Sequence, residues 1–429
     1  MNIYISQTRT LFCILIFSIL FLTSCSKEDE KDPIAEILPP IELPCDYFNQ
    51  DRILENDPNR PVDYLIDCWT RVEAGLKIEP GVVIAFEYNA GMFITLGNKI
   101  FEAKGTFNDP IVFTGTSENA GHWRGLFFTE AYNTNNVIEH AKIRYAGSQN
   151  LTTSSPIYEG SIAVRGVSGT TPQSLTLNHV EISNSGNIGL DLHGIGAQAT
   201  VEVSNLTIKE CQDVPIKISA NKVHILDETS HFEGNVLDFV NITPEHNSIE
   251  TSNNWNKLDV PYLVDGRVRV IGGGHLIIKE GVEIQFQPQG YIQVSPNGTD
   301  YNLSLKILGT EENPVHLKAA NGTNWGGIYY GFTQQDNLIT HAIIEHAKGD
   351  FPVGNIVDSG AIYMHANPKL SVSNTTFKDL PNFAFYAYTG ASNIKPDLPN
   401  LNLANNIYIN ISKGHADLEY LGWGVDGGN

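Results

Sequence analysis

From residue 62 onward, apolar and polar positions alternate over short runs of three to five residues, and almost nothing has a helical period. Ile84-Ala-Phe86, Phe93-Ile-Thr-Leu96 and Ile111-Val-Phe-Thr114 come first, then Gly125-Leu-Phe-Phe128, Ser161-Ile-Ala-Val-Arg165, Gly189-Leu-Asp-Leu-His193 and Ile216-Lys-Ile218. Gly, Asn, Asp and Pro separate them, which is turn chemistry. Such runs are short for sandwich strands. They suit a coil that turns a corner every few residues.

A long internal repeat decides between those options. Leu76-Lys-Ile-Glu-Pro-Gly-Val-Val-Ile-Ala-Phe86 returns as Leu276-Ile-Ile-Lys-Glu-Gly-Val-Glu-Ile-Gln-Phe286. His122-Trp-Arg-Gly-Leu-Phe-Phe128 returns as Asn324-Trp-Gly-Gly-Ile-Tyr-Tyr330, and Val137-Ile-Glu-His-Ala-Lys-Ile143 as Leu338-Ile-Thr-His-Ala-Ile-Ile344. A half of about 200 residues is therefore present twice. Trp123 and Trp325 occupy equivalent places, which predicts a packing role for both. His140 and His341 are matched as well and are expected in a turn. The finer pattern Leu-x-Val-x-Asn-x-x-Ile/Phe places Asn at a corner, where it can hydrogen-bond turn backbone.

The paired openers, the Asp/Asn-Pro-Ile/Val strands and the two Trp-x-Gly-Leu/Ile segments resemble the right-handed parallel β-helix proteins. More narrowly, they resemble the Bacteroidetes-type surface lipoproteins that carry right-handed β-helix repeats. The resemblance implies an all-β solenoid built from two duplicated halves, 76–245 and 260–429, joined at 246–259. The segment 45–75 is expected to cap the first coil, with a second cap near the C-terminus. Residues 221–255 are polar, Asn-rich and poor in coil pattern. The fold hosts lyases, hydrolases, esterases, adhesins and inert spikes, so it does not choose an activity.

The N-terminus adds an address. An apolar run at 11–22 has signal-peptide length, and Leu22-Thr-Ser-Cys25 resembles a bacterial lipobox. That resemblance implies removal of 1–24, a diacylglyceryl group on Cys25, and a tether over 25–44. The partner is then a membrane, reached through the lipid. Ser26 stands where an inner-membrane retention Asp would stand, and Lys27-Glu-Asp-Glu-Lys-Asp32 resembles a surface-export signal. The expected location is the outer membrane, at the cell surface or on its periplasmic face. In an exported protein, Cys45 and Cys68 are candidates for a disulfide closing a loop of about two dozen residues. Cys211 lies in an apolar strand pattern and is expected to be a buried thiol.

Charge then removes one class of partner. The 48 acidic against 27 basic side chains leave a net charge of −21, which repels phosphate backbones, so nucleic acid is not expected. No EF-hand loop, zinc-type Cys or His spacing, or phosphate-binding loop occurs, so no metal or cofactor is expected.

Chemistry must come from outward positions. In the first half these are Lys142, Arg144, Arg165, Asp191, His193 and Lys217, which form one charged strip if their strands share a sheet. Lys142, Arg165, Asp191 and His193 are the candidate catalytic groups, because a base beside a cation can take a proton from an acidic sugar. A solvated strip of weak ion pairs explains the same residues. In the second half, Glu345, Tyr363, His365, Tyr386 and Tyr388 take the outward slots. Arg144 and the last four of these are candidate ligand contacts, since exposed Tyr faces suit sugar rings, and cross-strand stacking is the other use of such a ladder. The adjacent Asp pair and Gly-His-Gly of polygalacturonase-type enzymes are missing. Three functions stay open: a non-catalytic scaffold that binds glycan or protein, a lyase or hydrolase acting on acidic polysaccharide, and a structural spacer.

Overall fold

In the computed structural model, residues 37–166, 172–296, 298, 300–331, 333, 336–352, 359–365, 369–388, 401–413 and 421–424 are described. The signal stretch, Cys25 and most of the tether lie outside the described residues.

All named strands pair in parallel, in sheets of 11, 13, 7 and 6 strands, and the only helical pieces among the described residues are three short 3-10 turns. The chain is a parallel β-helix with three sides. Each coil returns a strand to every side, and the long strands Val137–Arg144 and Ser174–Ser183 each pair across two of them. Thus Tyr64, Ile84, Phe113, Ile143, Ile182 and Ile208 stand in register in one column. All six are buried, five of them completely. Each aliphatic or Phe side chain so buried stabilises the coil by about 1.5–3 kcal/mol. The alternation seen in the sequence is the alternation between this column and the outside.

The corners follow a matched code. His140, His179 and Asn205 in the first half, and His341, Asn374 and Asn405 in the second, all have φ of 45–56°. Asn and His are among the residues that tolerate the left-handed region, so they recur where a strand bends onto the next side. The rings of His140 and His179 stack at 4.6 Å.

The coil begins earlier than 76. Ile41–Leu43 pairs with Tyr64–Ile66, and Arg52–Leu54 with Leu76–Ile78, so the expected cap region already forms strands of the solenoid. Cys45 and Cys68 are joined in a disulfide within it, and Cys211 is buried and free.

The junction does not interrupt the solenoid. Val240–Thr243 pairs with Ile216–Ser219 on one side and with Tyr262–Val264 on the other. The polar stretch that looked unsuited to coils thus carries a strand in register. Its consequence is a change of phase. Tyr262–Val264 corresponds to Tyr64–Ile66, yet it continues the column of Trp69–Val72, Gly91–Ile94 and Gly125–Phe128. The second half is therefore turned by one side of three relative to the first. At about 4.8 Å per strand, this shared 13-stranded sheet runs for about 60 Å.

The duplicated tryptophans have one job. Trp123 stacks on Phe86 at 4.2 Å and Trp325 on Phe286 at 4.0 Å, both nearly parallel. Their indole N–H groups donate to the carbonyls of Arg144 and Glu345, at 2.6 and 2.9 Å. Both are fully buried.

Candidate functional site

The predicted first-half strip divides between two sheets. Lys142 and Arg144 lie on Val137–Arg144, which pairs with Ile111–Gly115 and Ser174–Ser183. Arg165, Asp191, His193 and Lys217 lie on or beside strands of the 13-stranded sheet. Consecutive strands of a three-sided coil occupy different sides, so spacing along the chain could not place all six together. Arg144 and Lys209 each approach Glu181, at 3.7 and 3.6 Å, as half-exposed surface ion pairs of small value.

Arg165, Asp191 and His193 do come together. Leu190 and Leu192 enter the core, so Asp191 and His193 share the outer face. The next outward residue in the same column is Ala163, and beyond it Phe127 and Phe93. Both Asp191 and His193 are nevertheless buried, at 0% and 3% exposure, which corrects the expectation of solvent-facing groups. The cause is the loop 146–160. It folds back over the sheet and lays Leu151 and Tyr158 on Phe127 and Ala163. The small Ala163 side chain makes room for the Tyr158 ring, whose centroid is 5.6 Å from Phe127 and 4.7 Å from His193.

Asp191 holds this arrangement. Its Oδ2 accepts from the Glu159 backbone N–H at 3.1 Å, which pins the returning loop. Its Oδ1 accepts from the His193 backbone N–H at 3.2 Å and meets His193 Nδ1 at 2.6 Å. A carboxylate oxygen accepts here, so the contact places a hydrogen on His193 Nδ1. Burial, with the Asp191 charge, pushes the Tyr158 phenol up to about 12, against opposing effects of Arg165 and a backbone hydrogen bond at Gly166. Tyr158 is therefore protonated at neutral pH. Gly194 has no side chain for a physical reason: a Cβ there would occupy the position of the Tyr158 hydroxyl.

Beside this pair opens a cavity of about 560 Å3, lined by Tyr158, Arg165, Gln173, His193, Gln198 and Glu245 among others. One wall includes residues 197–199, whose placement involves a group the sequence reading passed over. Lys222 is buried, and its ammonium donates to the carbonyls of Ala197 and Ala199 at 2.9 and 2.6 Å. Burial lowers its pKa. Tyr158, Gln173, Gln198 and Glu245 were also missed, because they come from loops that carry no period. The available signal was Leu151, Ile157 and Tyr158, large apolar residues within a mostly polar loop.

Among the described residues, the matching column of the second half carries rings where the first carries Ala163 and Asp191. Register makes Tyr363 the counterpart of Ala163, and Tyr386 that of Asp191. Tyr329, Tyr363 and Tyr386 stack successively at 5.4 and 5.7 Å. Phe351 packs against Tyr329 and Tyr291 at 5.7 Å each, nearly edge-on. Tyr363 and Tyr386 are 3% and 5% exposed, so they offer no open faces to a sugar, contrary to expectation. His365, the counterpart of Arg165, is half-buried, and burial lowers its pKa. The Tyr388 backbone pairs with His365, while its side chain lies outside the described residues. Glu345 belongs to the 13-stranded sheet, away from the tyrosines. There it meets His316 at 2.9 Å and Lys378 at 3.3 Å.

Among the described residues, the one three-residue cluster of metal-type ligand atoms is Cys45, Asp67 and Cys68, and its two sulfurs are bonded to each other. No protein-family model, curated protein or solved structure matches the chain.

Proposed function

We propose that this protein is an exported, lipid-anchored β-helix of the bacterial outer membrane that binds an acidic saccharide in the cavity above Asp191 and His193. The observation that carries the reading is the convergence of Arg165, His193, Gln198 and Glu245 on that cavity. A uronic acid presents one carboxylate and several hydroxyls. An exposed guanidinium suits the first, and amide and carboxylate side chains suit the second. The divergence of the halves supports the same reading. Scaffold residues such as Trp123 and Trp325 are duplicated, while Ala163 and Asp191 beside the cavity give way to Tyr363 and Tyr386 in the second half. The Cys45–Cys68 disulfide agrees with an oxidising compartment, which supports export.

Binding is tested by titrating the protein with polygalacturonate, alginate and hyaluronan. Arg165→Ala should weaken binding about tenfold or more, the scale of one charge-assisted hydrogen bond. Equal affinity of variant and parent for every polymer would remove Arg165 from the site. Anchoring is tested by labelling with a fatty-acid analogue, which Cys25→Ser should abolish.

A further inference from the structure

Resting on that binding reading, we infer that Lys222 makes the cavity select an anion: from behind the wall, its ammonium positions the 197–199 turn and supplies positive charge. Without it the sign would be wrong. Of the acidic and strongly basic side chains at the cavity, Arg165 and Glu245 line the wall and Asp191 lies beneath, bonded to His193. Two carboxylates therefore stand against one guanidinium, in a chain of net charge −21. An acidic sugar needs a further cation. Lys222 is buried, and its acceptors are neutral carbonyls, of Ala197 at 2.9 Å and Ala199 at 2.6 Å. Among the described residues, no carboxylate forms an ion pair with it. A charge so placed is weakly screened and acts further than one at the surface.

The positioning role comes from the peptide plane. In a trans peptide the C=O and the following N–H point in opposite directions. Ala197 turns its carbonyl onto Lys222, so the Gln198 N–H points away from Lys222, and Gln198 is an exposed residue of the cavity wall. A backbone N–H on that wall is a donor for a carboxylate. The rest of the turn is tied down. The Ala199 N–H donates to the Gly196 carbonyl at 3.1 Å, and the Thr200 N–H to the Gln173 carbonyl at 2.7 Å. Lys222 is thus a positioning residue, acting through 197–199. Other titratable groups surround it. His224 shares its 3-10 turn, Ala220–Ile225, and the strands packed on that turn carry Glu202 and Lys217. Glu250 lies between two further strands of that packing, and Glu245 and His246 line the cavity. Burial, then the Lys222 charge, lowers the pKa of His224, so that ring is neutral throughout the alkaline range.

Burial lowers the pKa of Lys222 below the ordinary 10.5. Its charge is lost as pH rises through that lowered value, and affinity for an anion should fall with it before pH 10.5 is reached. The test uses the intact chain, the same three polymers, and the methyl ester of polygalacturonate, which has the same backbone without the charge. At neutral pH the parent should prefer the acid to the ester. Lys222→Met keeps an unbranched stem and removes the charge and the donors. In a protein with parental circular dichroism it should bind the acid about tenfold more weakly or worse, lose the preference over the ester, and show no alkaline fall. Lys217→Met, which removes an amine from a strand packed on the same turn, should keep that fall. A folded Lys222→Met variant that retains both the preference and the fall overturns the inference and leaves the binding reading standing. Should the variant not fold, the parent decides, because constant affinity for the acid up to pH 10.5 overturns the inference equally. Failure to bind any of the three acidic polymers overturns both.

Discussion

Oδ1 of Asp191 lies 2.6 Å from Nδ1 of His193, and the same carboxylate holds the backbone of Glu159 from the loop above. One side chain therefore orients a neighbour and closes a lid. Asp191→Ala leaves the ring and two buried backbone N–H groups without an acceptor. A loss of about 3–5 kcal/mol is expected, as for a broken buried pair. It should appear as a lower denaturation midpoint, with protease cutting first within 146–160.

Gly194→Ala acts on the lid from below. The new methyl group displaces the Tyr158 hydroxyl, and overpacking of this kind costs about 1–3 kcal/mol. Near-ultraviolet circular dichroism should change in this variant. Gly196→Ala, which meets nothing within 4 Å, should keep the parental spectrum.

The matched tryptophans predict matched losses. Trp123→Ala and Trp325→Ala remove the same stacked ring and the same N–H donor from fully buried sites, so each should cost about 3–5 kcal/mol. A ligand-contact role for either would instead appear as lost affinity at near-parental stability.

His365 predicts one component of the acid response. Burial lowers its pKa below the ordinary 6.5, so the unfolded chain binds its proton more readily than the folded one. The stabilising contribution is complete above pH 6.5 and is lost as pH falls toward the folded value. Stability measured by urea titration should decline less steeply across that window in His365→Gln than in the parent.

Removing the disulfide by Cys45→Ser should cost about 3 kcal/mol, given a sequence separation of 23 between the joined cysteines. Limited proteolysis should then begin in the first coil, around 41–72, and leave the second half protected.

The architecture was legible because a solenoid writes its core as local alternation and its history as a long repeat. Ile84 and Ile284, or Trp123 and Trp325, announce themselves in one dimension. The site was legible only in part. Asp191 and His193 stand two apart on a strand and must share a face, and their counterparts could be found by register. Lys142 and Arg144 failed as partners because membership of a side depends on counting corners along the coil, and corners are not written in the apolar pattern. Burial of Tyr363 and Tyr386 was hidden for another reason. Whether an outward position meets water depends on what a distant loop does, and Phe351 and Tyr158 carry no period that reveals where they land.

The one-side turn at Val240–Thr243 has an effect on how the two copies could diverge. Had the copies been in phase, a single polymer lying along one side of the molecule would have met both versions of the same surface, and a change in either would have altered one shared track. Turned apart, the cavity of the first copy and the tyrosine stack of the second lie on different sides of the coil. A straight line drawn from Asp191 along its sheet leads past Lys217 and Leu263 to the Lys318 and Glu283 ion pair, never to Tyr386. Each copy became a separate site for selection the moment the junction rotated it out of the other's view.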